Sequence, residues 1–225
     1  MIFVTRFGLG NIQDPIHEAK SQADFQQVKR LLEAGENPNR LDPSGQTPLH
    51  RAADPVIVKL LIDAGANVNA TDKCSWTPLH LVKNIECARL LLNAGADPDA
   101  RSREDLSPLG HAGSVETAKL LIEAGADVQL RRRSSLLHHR PTPELAKLFI
   151  GAGVGVNCLD QNGRTPLDVA EESRQIFQRQ AEQLGFHVHA AQAKQYAELV
   201  TVLRTCGGKH GQQRKPNNDP PLKSN

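Results

Sequence analysis

Aromatic residues are almost missing from this chain: one tryptophan, one tyrosine and six phenylalanines in 225 residues, 4% in all. Any core must therefore be aliphatic, and a groove that stacks single-stranded bases on interleaved rings has too few rings. A charge excess is missing as well. Lys and Arg number 27 against 25 Asp and Glu, a formal +2, which argues against the strongly basic field of a dedicated nucleic-acid binder. The four cysteines, Cys74, Cys87, Cys158 and Cys206, form no C-x-x-C pair. Neither a zinc knuckle nor a redox dithiol is written, and free thiols in a reducing compartment are expected. Long apolar runs are lacking too: the opening MIFVTRFGLGN is too short for a secretory core, and no window approaches a membrane span. A cytoplasmic protein without membrane association is the expectation.

What the chain does have is a repeated phrase. TPLH stands at 47 and 77, SPLG at 107, SLLH at 135 and TPLD at 165, with DPIH at 14 as a degenerate copy. A second phrase follows in phase: VKRLLEAGENPN from 28, VKLLIDAGANVN from 58, ARLLLNAGADPD from 88, AKLLIEAGADVQ from 118 and AKLFIGAGVGVN from 146. In TPLH the Thr suits a helix N-cap and the Pro a first helical position, so each copy opens a helix. The second phrase carries apolar residues at i, i+3 and i+4, as in Val58, Leu61 and Ile62, and ends on a glycine suited to a left-handed stop. Turn-rich stretches such as ANVNATDKCSW then lead to the next copy. One such unit cannot bury its aliphatic face alone, whereas a stack can.

These phrases closely resemble the ankyrin repeat over roughly residues 14 to 208. The resemblance implies an all-α repeat solenoid of about six stacked helix–turn–helix units with β-hairpin-like fingers. The units are 14–46, 47–76, 77–106, 107–134, 135–164 and 165–208, after an N-terminal extension, 1–13. The last unit holds an insertion around 174–192, in which EESRQIFQRQAEQL reads as a polar helix extension and GFHVHA as its connection. Residues 209–225 read as a disordered basic tail. Ankyrin units usually run about 33 residues. Here the later ones lose about three between TPLHRAAD and PVIVKLL, which implies a shortened inner helix or link and a binding mode that leans on the fingers. The resemblance also implies that His17, His50, His80 and His138 are structural residues bonding between neighbouring units.

No constellation for chemistry emerges. G-x-S-x-G, H-E-x-x-H and a P-loop are all absent. GAGVGVN is a repeat turn in phase with its sister copies, and His187 and His189 make only two ligands. A chain without catalytic residues, metal or cofactor is expected. Recognition then falls to positions that the repeat leaves free. Lys73, Trp76, Arg101, Arg103, Leu106, Arg131, Arg132, Arg133 and Arg164 stand in the fingers, and Arg51, His111 and His139 at the first inner-helix position. Trp76 is either a binding hot spot or packing against a neighbouring finger. Arg101, Arg103 and the run Arg131, Arg132 and Arg133 form either a ridge for carboxylates or a solvated charge run. The expected function is non-catalytic binding of another protein, one with an acidic surface, by a monomer acting as inhibitor, immunity-type protein or scaffold. The alternative is nucleic-acid or phosphate-ligand binding through the arginine fingers and the tail.

Overall fold

A computed structural model describes residues 25–129, 135–139, 141–184 and 187–211. These fall into two compact units that divide between Ala126 and Asp127. The extension 1–13, Arg131, Arg132 and Arg133, and the tail from 212 onward lie outside the described residues.

The first unit alternates short and long helices. They are α1 (Phe25–Glu33), α2 (Pro48–Arg51), α3 (Pro55–Asp63), α4 (Pro78–Leu81), α5 (Ile85–Asn93), a 3-10 turn (Leu109–His111) and α6 (Val115–Glu123). The inner elements are a single turn because the repeat spends few residues on them. Thr47 and Thr77 hold extended backbone, the following proline starts the helix, and His50 and His80 close a capping box. Asp54, Asn84 and Ser114 then cap the longer outer helices, accepting from Val56, Glu86 and Thr117 N–H at 2.8, 2.8 and 3.1 Å. The outer helices stop where Gly65 and its counterparts turn left-handed (φ 85° at Gly65), and Ala66 N–H closes back to the Leu61 carbonyl at 2.9 Å. Ile57, Val58, Leu61, Leu79, Ala88, Leu91, Leu109, Ala118 and Leu121 form an aliphatic core, each larger side chain stabilising by about 1.5–3 kcal/mol. Cys87 belongs to this core: its thiol donates to the Ala53 carbonyl at 3.4 Å, and burial pushes its pKa up to about 11.

Two ladders tie successive repeats. His50 Nδ1 accepts the Thr47 N–H at 3.1 Å while Nε2 lies 3.0 Å from the Trp76 carbonyl. A carbonyl can only accept, so Nε2 carries the proton and the ring is neutral. His80 repeats this with Thr77 and the Leu106 carbonyl (3.1 Å), and in the second unit His138 does so with Ser135 and the Arg164 carbonyl (2.9 Å). The second ladder is an amide one. Asn39 donates to the Gly65 carbonyl and accepts from Asn67 N–H, and Asn69 does the same with Gly95 and Asp97.

The second unit contains a 3-10 turn (Leu136–His139), α7 (Pro143–Gly151), α8 (Pro166–Leu184) and α9 (His187–Thr205). α8 runs unbroken through the polar segment and packs along α9, whose buried Leu199, Val200, Val202 and Leu203 form its share of the core. The connection is shorter than GFHVHA: His187 to Ala190 are already helical, and the His189 ring stacks 6.0 Å from Phe177, which itself stacks on Tyr196 at 5.5 Å. Lys209 to Gly211, placed in the tail by the sequence reading, fold back onto the last repeat. Asn157 donates to the Gly207 carbonyl (3.0 Å) and accepts from Lys209 N–H (2.6 Å), continuing the amide ladder as though Gly207 opened another finger. Asp168 occupies the place of the ladder histidine. It accepts from Thr165 N–H and Gly211 N–H, both at 2.9 Å, and pairs with His210 Nδ1 at 2.7 Å. Burial pushes this carboxyl up, but those donors and the Thr165 hydroxyl outweigh it and leave the pKa at about 2.

Within each unit the architecture is an all-α repeat stack, as the ankyrin resemblance implies, and no strand forms among the described residues.

Candidate functional site

Each finger is closed by its own first side chain. Asp72 accepts from Cys74 and Trp76 N–H at 2.8 and 2.9 Å while its own N–H donates to the Trp76 carbonyl. Asp42 does this with Ser44 and Gln46, Asp160 with Asn162 and Arg164, and Ser102 supplies its hydroxyl to Leu106 N–H. Burial raises the carboxyls of Asp72 and Asp160, yet these N–H donors prevail and both lie below the usual carboxylate range. The residue before the last finger position is left-handed: Gly45 and Gly163 fit it freely, but Ser75 (φ 60°) and Asp105 (φ 64°) are forced into it. Neighbouring fingers join through Lys73 N–H to the Ser44 carbonyl (3.3 Å) and Arg103 N–H to the Cys74 carbonyl (2.9 Å). These bonds tie much of the finger backbone within and between fingers, and the finger side chains project from it.

Among the described residues, most of the cationic side chains expected to meet a partner's carboxylates are engaged already. Arg101 holds Asp105 through Nε (3.0 Å) and Nη2 (2.8 Å), and Arg51 reaches Asp42 at 3.4 Å. Lys73 Nζ donates to the Pro43 carbonyl at 2.6 Å. In the second unit Arg164 grips Asp160 and Glu172, each at 3.0 Å. A guanidinium bound in this way to its own carboxylate offers little net charge to a partner, so the ridge reading does not fit Arg101. The Arg103 side chain is exposed, and His139 is half-buried in the second unit.

Trp76, His111 and Leu106 do come together. The Trp76 ring meets the His111 ring edge-on at 4.6 Å and stacks 6.2 Å from His80, while Leu106 supplies the carbonyl that His80 binds. Trp76 therefore packs and faces out at once: it is half-buried, and the two rings it packs on, His80 and His111, line a cavity of about 400 Å³. His80, Leu81, Val82 and His111 line that cavity with Lys83, Gly113, Ser114 and Thr117. Lys83 and Gly113 were not singled out by sequence reasoning. Their one available signal was their place in the shortened link between inner turn and outer helix. No cluster of three or more His, Cys, Asp or Glu residues able to hold a metal forms among the described residues, and no described helix is long and apolar enough to cross a membrane.

Comparison with known proteins bears on this geometry. A family model for ankyrin repeats, in three copies, matches residues 6–72 and 54–132. No curated protein matches the chain. Among solved structures, the ankyrin repeat domain of Bcl-3, titled a unique member of the IkappaB protein family, superposes with a TM-score of 0.62. It is 27% identical, and the match covers 87% of this chain and 86% of that one. Ankyrin repeats generally mediate protein–protein interaction and are typically non-enzymatic. The matched segments span more than half of the sequence, and the histidine and amide ladders recur in phase with them, so the chain belongs to the ankyrin-repeat family.

Proposed function

We propose that this chain is a non-catalytic, cytoplasmic, monomeric module that binds one partner protein through its first unit, at Trp76, His111 and the exposed finger residues beside them. The observation that carries the reading is the Trp76 ring, half-buried and held edge-on against His111, whose own ring lines a cavity. A large ring held in one orientation loses little entropy when a partner covers it, and tryptophan is the side chain most enriched in binding hot spots. Such a module acts as an inhibitor, a neutraliser or a scaffold component by occupying its partner's surface. The nucleic-acid alternative loses support, because Arg101 and Arg164 hold their own carboxylates and add little to a phosphate-binding field.

The test is affinity capture from the native source with tagged wild type and with Trp76→Ala, the melting temperatures of both having been matched. A protein retained by wild type and at least about tenfold depleted with the variant, equivalent to ~1.4 kcal/mol, supports the reading. Equal retention overturns the proposed site. No specific protein retained by either chain overturns the module.

A further inference from the structure

We infer that the cavity beside Trp76 receives an apolar side chain flanked by carboxylates, the acidic and apolar segment of a protein partner; this deepens the module reading and rests on it. The void has a sequence-level cause. The link after α4 is Val82-Lys83-Asn84, and the link after the 3-10 turn Leu109–His111 is Ala112-Gly113-Ser114, in which Gly113 contributes no side chain. A Cβ added at Gly113 would meet nothing within 4 Å, so the space in front of it is open.

The walls set the chemistry of the guest. Leu81 and Val82 are half-buried aliphatic surfaces, and the His80 ring is held neutral because its Nδ1 accepts the Thr77 N–H. Burial drives the His80 pKa below the ordinary histidine value, which keeps that wall uncharged near neutrality. About 400 Å³ admits one leucine- or phenylalanine-sized side chain together with its backbone, near the small end of ligand pockets. An apolar guest is favoured because it removes Leu81 and Val82 from water.

Charge sets the flanks. No carboxylate lines the cavity, and the exposed Lys83 makes no hydrogen bond or ion pair among the described residues. Lys83 differs in this from Arg51 and Arg101 of the same unit, each of which already holds an aspartate. An ammonium with no internal partner, beside an apolar recess without acids, selects a carboxylate next to the inserted side chain and repels a cation there.

The chain carries its own reporter, since Trp76 is its only tryptophan and touches the lining ring of His111. Intrinsic fluorescence of the full chain is titrated with three capped tripeptides: acetyl-Asp-Leu-Asp-amide, acetyl-Lys-Leu-Lys-amide and acetyl-Asp-Ala-Asp-amide. The expected result is a saturable change with the first, and binding at least about fivefold weaker for the other two, the size of one modest ionic or apolar contact. Lys83→Glu, an exposed change that spares the core, should reverse the order of the two leucine peptides. Gly113→Leu should fill the recess and abolish binding of all three. No saturable change with any peptide, equal binding of the two leucine peptides, or undiminished binding in Gly113→Leu overturns the inference. If the captured partner is lost with Trp76→Ala but retained with Gly113→Leu at matched stability, the cavity inference fails while the module reading stands.

Discussion

A neutral imidazole is a structural requirement at three points of this molecule. His50, His80 and His138 each take an N–H at Nδ1 and give their only proton to a carbonyl. Burial lowers the pKa of all three below the ordinary value of 6.5. As the medium is acidified the unfolded chain binds these protons first, so stability is fully present above pH 6.5 and declines below it, toward the folded-state values. Melting temperature followed from about pH 7.5 down to about pH 5 should fall, and His80→Ala should melt lower but with a flatter slope. A wild-type profile that is flat over this range would contradict the assignment. Ser75 makes the opposite kind of prediction. Its φ of 60° is what glycine supplies freely at Gly45 and Gly163, so Ser75→Gly should raise stability by about 0.5–1 kcal/mol in denaturant unfolding. Asp105→Gly should gain less, because it also removes the carboxylate that Arg101 holds.

At the scale of elements, the outer helices carry the stability and the fingers carry the free surface. Leu61 and Leu121 are fully buried on α3 and α6, and replacing either by Ala should cost about 2–5 kcal/mol. By contrast, Phe177→Ala should loosen only the distal parts of α8 and α9. Phe177, His189 and Tyr196 are half-buried partners of one another there, so faster hydrogen exchange is expected around them and little change at Leu203. The outer helices and their glycine stops were legible in the sequence because caps, apolar period and left-handed turns are local and are written several times. The arginine pairing was legible in principle, since Arg101 and Asp105, like Asp160 and Arg164, stand four residues apart, but a four-residue spacing signals contact on a helix and these segments are turns. The cavity was not legible. It is a space between links thirty residues apart, and only the packed backbone shows that Val82 and Gly113 face the same void.

At the scale of the whole molecule, the last repeat is chemically different from the others. A ladder histidine donates to the carbonyl of the next finger, whereas Asp168 accepts from the Gly211 N–H and holds His210. TPLD in place of TPLH thus exchanges a donor for an acceptor and matches the exchange of carbonyl for N–H in what it meets. Gly211 is required as well, because a Cβ there would lie 2.7 Å from the Gly163 carbonyl oxygen. With its pKa at about 2, against 3.8 for an ordinary aspartate, Asp168 adds stability above pH 3.8 that is lost as the pH falls toward 2. Asp168→Asn should lower the melting temperature at neutral pH and speed exchange of the Gly211 amide, while leaving α3 and α5 unaffected. An unchanged Gly211 amide would show that this strap, residues 209–211, is held by other contacts.

The strap also bears on how such a protein can change length over generations. A repeat duplicated or deleted ahead of Ser135 leaves Asn157, Gly163, Asp168 and Gly211 together, so those contacts can re-form around an array of a different size. A repeat appended after Gly211 must displace the N–H bonds that Asp168 holds, and then offers a finger carbonyl to a carboxylate that has no proton to give at neutral pH. Growth ahead of Ser135 keeps these contacts, whereas an addition after Gly211 has to replace them.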